Sequence, residues 1–77
     1  MTKNGKEKLG YNIKRLAKKR NMTIKELALR IGVNPVTAYR YVCGARTPSL
    51  TALGGLAIAL GVNVADILDG IRTEEML

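Results

Sequence analysis

Two helix signals stand almost end to end in "TIKELALRIGVNPVTAYRYVCG", residues 23–44, with only Gly32, Val33 and Asn34 between them. In the first, Thr23 and Glu26 have capping-box spacing, and Ile24, Leu27, Ala28 and Ile31 recur at the helical period. Gly32 suits the left-handed residue that ends a helix. In the second, Asn34 is the N-cap, Pro35 takes the favoured first position, and Val33 with Ala38 forms a hydrophobic staple. Gly44 stops it. A link this short cannot fold the helices back antiparallel, so they must cross steeply as a helix-turn-helix.

The rest of the chain supplies what those helices pack against. "MTKNGKEK" is polar and aperiodic and reads as a mobile basic arm over residues 1–8. Leu9, Ile13, Leu16 and Ala17 form the apolar face of a helix from about Leu9 to Arg20. After the loop "ARTPS", Ser49 caps a fourth helix with Leu50, Leu53, Leu56, Ala57 and Leu60 as its stripe, ending at Gly61. Gly54 and Gly55 inside it cost about 2 kcal/mol together unless a neighbour packs closely there. A short fifth helix runs from Asn63 to about Leu68, with Val62 and Ile67 as its staple. No alternating strand pattern occurs. The expected fold is all-α, five short helices spanning residues 9–69, followed by a tail over 70–77.

Charge is unevenly placed. The 77-residue chain carries +7, but residues 1–46 hold twelve Lys/Arg against Glu7 and Glu26. Residues 47–77 hold Arg72 against Asp66, Asp69, Glu74 and Glu75. A basic first half suits a polyanionic partner on one side of the molecule, against the plainer reading of a solvated basic surface. Lys14, Lys18 and Lys19 read as a solvated face with long-range steering.

Several classes drop out. Cys43 is the lone cysteine and there is no histidine, which excludes an intramolecular disulfide and removes the commonest metal ligand. Cys43 reads as an ordinary thiol at a helix end. Ser49 is the lone serine and reads as a cap, and Glu74 with Glu75 are adjacent in a tail, so no catalytic constellation is present and no cofactor is expected. No apolar run is long enough to span a bilayer, and no signal peptide leads the chain. The expectation is a non-enzymatic, cytoplasmic protein without membrane contact.

From Leu9 to Asp69, most of the chain, the sequence resembles the phage-repressor and Cro-type helix-turn-helix proteins, the XRE family. "MTIKELALRIGVNPVTAYRYVCGARTPSLTALGGLAIALGVNVADIL" matches that family's order of helices, turn, "G-x-x-x-P-S" loop, "A-x-A-L-G-V" helix end and final short helix. The resemblance implies a lambda-repressor-like domain binding double-stranded DNA, usually as a homodimer. Two departures stand out. Family members often carry Gln where this chain has Ile24. They often bury an Arg of helix one against a Glu near the end of helix three, where this chain has Ala17 and Val42. Apolar residues replace a buried ion pair without loss of stability in many proteins.

On that reading the third helix enters the major groove. Arg40 is the leading base reader, through guanine O6 and N7, with a phosphate clamp as its competing role. Val36 packs against a thymine methyl. Thr37 contacts a base or phosphate, or serves the helix start; Tyr39 contacts DNA or is simply exposed. Tyr41 belongs to the core. Phosphate contacts fall to Thr23, the amides near Ile24 and Lys25, Asn34, Arg46 and Thr47. Lys3, Lys6 and Lys8 reach the backbone or minor groove if the arm is ordered by DNA.

The leading function is sequence-specific binding of double-stranded DNA by a small transcriptional regulator, expected to repress. Its dimer contact is expected from Ile58, Val64, Ile67, Leu68, Ile71, Met76 and Leu77. The alternative is a protein-interaction module with a protein partner, such as an antitoxin or a regulator antagonist.

Overall fold

A computed structural model describes residues 4–71; Lys3, Arg72, Glu74, Glu75, Met76 and Leu77 lie outside the described residues. The described chain forms five helices and no strand: α1 Gly5–Lys19, α2 Ile24–Ile31, α3 Pro35–Cys43, α4 Leu50–Leu60 and α5 Val64–Ile67.

The first helix begins at Gly5, four residues before the expected start at Leu9. Asn4 caps it, its Oδ1 accepting the Glu7 amide at 2.9 Å. Lys6 and Lys8 therefore stand on α1 rather than on a separate arm. The buried face explains why periodicity misses this turn: Gly5 and Gly10 belong to it, and glycine leaves a gap in an apolar stripe.

Gly10 also sets how α1 docks. A Cβ there would collide with the backbone carbonyls of Val42 and Tyr41, so α1 lies directly on the end of α3. Leu9, Ile13, Leu16 and Ala17 run down the same face into a core completed by Leu27, Tyr41, Leu56, Leu60 and Ile67. Ala17 is 1% exposed, and Val42 packs against the same cluster. The apolar pair that stands in place of the family's ion pair thus fills part of that core.

The helix-turn-helix signals are realised. The Thr23 hydroxyl accepts the Glu26 amide at 3.0 Å, and Glu26 Oε1 accepts the Thr23 amide at 3.3 Å. Gly32 exits α2 with φ +74°, a conformation glycine adopts without steric cost. Asn34 Oδ1 accepts the Val36 amide at 2.8 Å and starts α3 two residues later. Leu27, Ala28, Ala38 and Tyr41 are buried where the helices cross.

The fourth helix departs from its expected stripe. Leu56, Ala57 and Leu60 are buried, but Leu50 is 83% exposed. A helix that is apolar almost all round carries little phase information, so its rim residue is misread. The two glycines also differ. A Cβ placed on Gly55 would meet Ile31 at ordinary contact distance, whereas among the described residues nothing outside the helix lies within 4 Å of a Cβ placed on Gly54.

At the end of the fold the Asn63 amide donates to Asp66 Oδ2 at 2.9 Å. Asn12 is the one buried polar residue among those described, and it closes the domain. Its Nδ2 donates to the carbonyls of Ile67 and Asp69, both at 2.9 Å, tying α1 to the end of α5. Ile67 is fully buried, and Val64, Leu68 and Ile71 pack against the core. Ile67 is therefore spent on the fold, whereas Val64, Leu68 and Ile71 remain partly exposed. Ile58, at 85% exposure, remains available. No helix among the described residues is long and apolar enough to cross a membrane.

Candidate nucleic-acid interface

The α3 helix is held by its inner residues and presents the others. Ala38 and Tyr41 anchor it, leaving Val36 56% exposed and Tyr39 55% exposed, with Arg40 and Cys43 also exposed. Positions 36, 39, 40 and 43 share one helix face by their three- and four-residue spacing. Thr37 is half-buried at its edge. The four residues expected to meet bases are thus brought together, Thr37 least openly. The Tyr41 assignment to the core also holds.

The expected phosphate-contacting groups fall into two sets. At the start of α2, the Thr23 hydroxyl and amide and the Glu26 amide are engaged in the capping box, and Thr23 Oγ1 also donates to Glu26 Oε1 at 3.1 Å. What remains for an anion are the first helical amides, those of Ile24 and Lys25, which lack intrahelical acceptors by helix geometry. Asn34 commits its Oδ1 to the cap and keeps its Nδ2 donors. The second set lies after α3, where Arg46 and Thr47 are exposed on the loop. That loop is pinned: the amides of Ala45 and Arg46 both donate to the Arg40 carbonyl, at 2.9 and 3.2 Å.

Residues that sequence reasoning left as a solvated face join this surface. Lys14 and Lys18 line one groove with Asn21, Met22, Thr23 and Ile24 at the start of α2. Lys14 and Tyr11 line a second with Glu7, Val42 and Cys43 at the end of α3. An edge of α1, Tyr11–Lys14–Lys18, therefore bridges the two ends of the helix-turn-helix. Its signal was the 11, 14, 18 spacing. The spacing acquires meaning only once Gly10 fixes which side of α1 meets α3.

The model of the helix-turn-helix family matches residues 13–67. No curated protein matches the chain. Among solved structures, ClgR, the clp gene regulator of Corynebacterium glutamicum, is similar at 28% identity and TM-score 0.80, covering 87% of each chain. The DNA-bound biofilm regulator SinR is similar at 29% identity and TM-score 0.74, covering 79% of this chain and 98% of that one. The restriction-modification controller C.AhdI of Aeromonas hydrophila shares the fold at 23% identity and TM-score 0.76, over 79% of this chain and 92% of its own. With a matched family model over most of its length and this set of neighbours, the chain belongs to the XRE family of helix-turn-helix DNA-binding transcription regulators.

Proposed function

We propose that the chain is a repressor that binds a twofold-related DNA site as a homodimer, with α3 in the major groove of each half-site. One observation carries the reading: phosphate-capable groups accompany the exposed face of α3. Lys14 and Lys18 line a groove with the start of α2, Lys14 also lines one at the end of α3, and Arg46 with Thr47 are exposed on the loop after α3. Backbone contacts of that kind set register, and base edges then specify. Arg40 reads guanine, Val36 and Tyr39 meet the apolar edges of pyrimidines, and Thr37 contacts the rim of the groove. Two such helices in a dimer enter successive major grooves about 34 Å apart.

Selection from a random duplex pool, followed by salt titration of the winner, tests this. The expected result is a palindrome whose affinity falls steeply with salt. Salt-dependent binding with no sequence preference removes the specific-regulator reading. No duplex binding at all leaves the protein-interaction module as the function.

A further inference from the structure

The α4 helix differs from the other four in carrying no charged residue over Leu50–Leu60, in a chain of net charge +7. Leu50, Gly54 and Ile58 recur every fourth residue and so share one face. Leu50 and Ile58 are 83% and 85% exposed, the most exposed large apolar residues among those described. Gly54 between them weakens the helix relative to alanine. Among the described residues nothing requires it, because outside its own helix no atom lies within 4 Å of where its Cβ would stand. Gly10, by contrast, is required by the carbonyls above it.

We infer that this face docks a second copy of the chain, α4 crossing its symmetry mate antiparallel about a twofold axis at Gly54. The inference rests on the homodimer reading above and assigns its surface. In a twofold contact the same patch serves both partners. Leu50 then meets Ile58 of the second copy, Ile58 meets its Leu50, and Gly54 meets its own counterpart. Crossed helices diverge on either side of their closest point, so the residue without a Cβ belongs at the crossing and the large side chains belong at the flanks. Charge selects the occupant. Two strongly basic copies repel wherever Lys- and Arg-bearing faces meet; α4 and the four-residue α5 bear neither, and α4 alone carries no charge of either sign. Among the described residues, Arg30 is the one charged residue lining the groove beside Ile58, with Ile31, Thr51, Gly55 and Ala59.

Sedimentation equilibrium of the full chain with charge-swapped variants tests the pairing. The wild type is expected to dimerise. Leu50→Glu and Ile58→Lys each raise the dissociation constant at least tenfold with the helical circular dichroism unchanged. Mixed in equal amounts, the two variants reassociate. In that heterodimer the new carboxylate faces the new ammonium at one flank, while Leu50 faces Ile58 at the other. A monomeric wild type, a variant that still dimerises alone, or a mixture that stays monomeric overturns the inference.

Should either variant lose its helical signal, the chain carrying Cys43→Ser and Gly54→Cys replaces it. Oxidation is expected to link two copies at the axis, and a chain that stays unlinked overturns the inference. The DNA reading fails separately: if the wild type binds no duplex while the mixing result holds, the regulator assignment falls and the docking surface stands.

Discussion

The carbonyl oxygen of Arg40 accepts the amide of Arg46 at 3.2 Å, alongside that of Ala45 at 2.9 Å. One backbone oxygen thus fixes the loop after α3 against the helix that carries the candidate base reader. The two guanidinium groups project from a common backbone unit, yet their side chains are independent. Truncating Arg40 leaves the bond to Arg46 intact.

That independence separates their roles experimentally. Arg40→Ala is expected to relax preference at one operator position, with a loss of about 1–3 kcal/mol on the preferred base. Arg46→Ala is expected to weaken all duplexes alike and to lower the slope of log affinity against log salt by about 1. Competition binding against single-base operator variants at several salt concentrations reads both. A uniform loss for Arg40→Ala would reassign it to a phosphate.

The same substitution at two glycines should have opposite effects. Gly10→Ala drives a methyl into the carbonyls of Val42 and Tyr41, neither of which can rotate away. Overpacking of this kind costs about 1–3 kcal/mol and would push α1 off α3. Gly54→Ala meets no described atom outside its own helix within 4 Å and removes a helix-weakening residue, for a gain of about 0.5–1 kcal/mol. Urea unfolding midpoints, measured in the Ile58→Lys background so that association does not contribute, should move in opposite directions.

Local chemistry made much of this molecule legible. Thr23, Asn34 and Ser49 are read as caps because capping involves residues within three positions of each other. Gly32 and Gly44 are read as exits because a left-handed residue follows each helix. What escaped reading depends on contacts distant in sequence. Asn12 looks like an ordinary polar residue on α1 until the end of α5 arrives 55 residues later to receive its amide. Gly10 looks like a weak point in a helix until Val42 lies over it. The Tyr11–Lys14–Lys18 edge is undecidable from sequence for the same reason. Leu50 was misplaced because a nearly uniform apolar helix has no polar face to set its phase. The candidate reading face was accessible because α3 has clear inward residues, which leave the others outward by subtraction.

Glu26 sits where it helps the helix and opposes the ligand. Its carboxylate bonds Thr23 at 3.1 and 3.3 Å, beside the Ile24 and Lys25 amides proposed to hold a phosphate. Glu26→Gln keeps an acceptor oxygen for the capping box and removes the negative charge. Duplex affinity should rise about two- to fivefold at low salt, in the range of exposed charge interactions, and the gain should shrink as salt screens it. Fluorescence anisotropy at low and high salt measures it. A fall in affinity would mean that no phosphate sits at the start of α2.

The apolar content of the reading face makes the last expectation chemical rather than mutational. Val36 and Tyr39 are more than half exposed on α3, at 56% and 55%, and Val36 has no hydrogen-bonding group in its side chain. What such a residue recognises in the major groove is the C5-methyl of thymine. Replacing thymine by deoxyuridine at one half-site position deletes that methyl and leaves every hydrogen-bonding edge unchanged. Burial of one such carbon contributes about 0.8 kcal/mol, so affinity should drop roughly fourfold at the sensitive position. In Val36→Ala the same substitution should matter much less, since the surface that covered the methyl is gone. A deoxyuridine scan across the selected operator with both proteins gives the interaction directly. If every position tolerates deoxyuridine in the wild type, Val36 does not read bases and the discrimination must come from Arg40, Thr37 and the shape of the duplex.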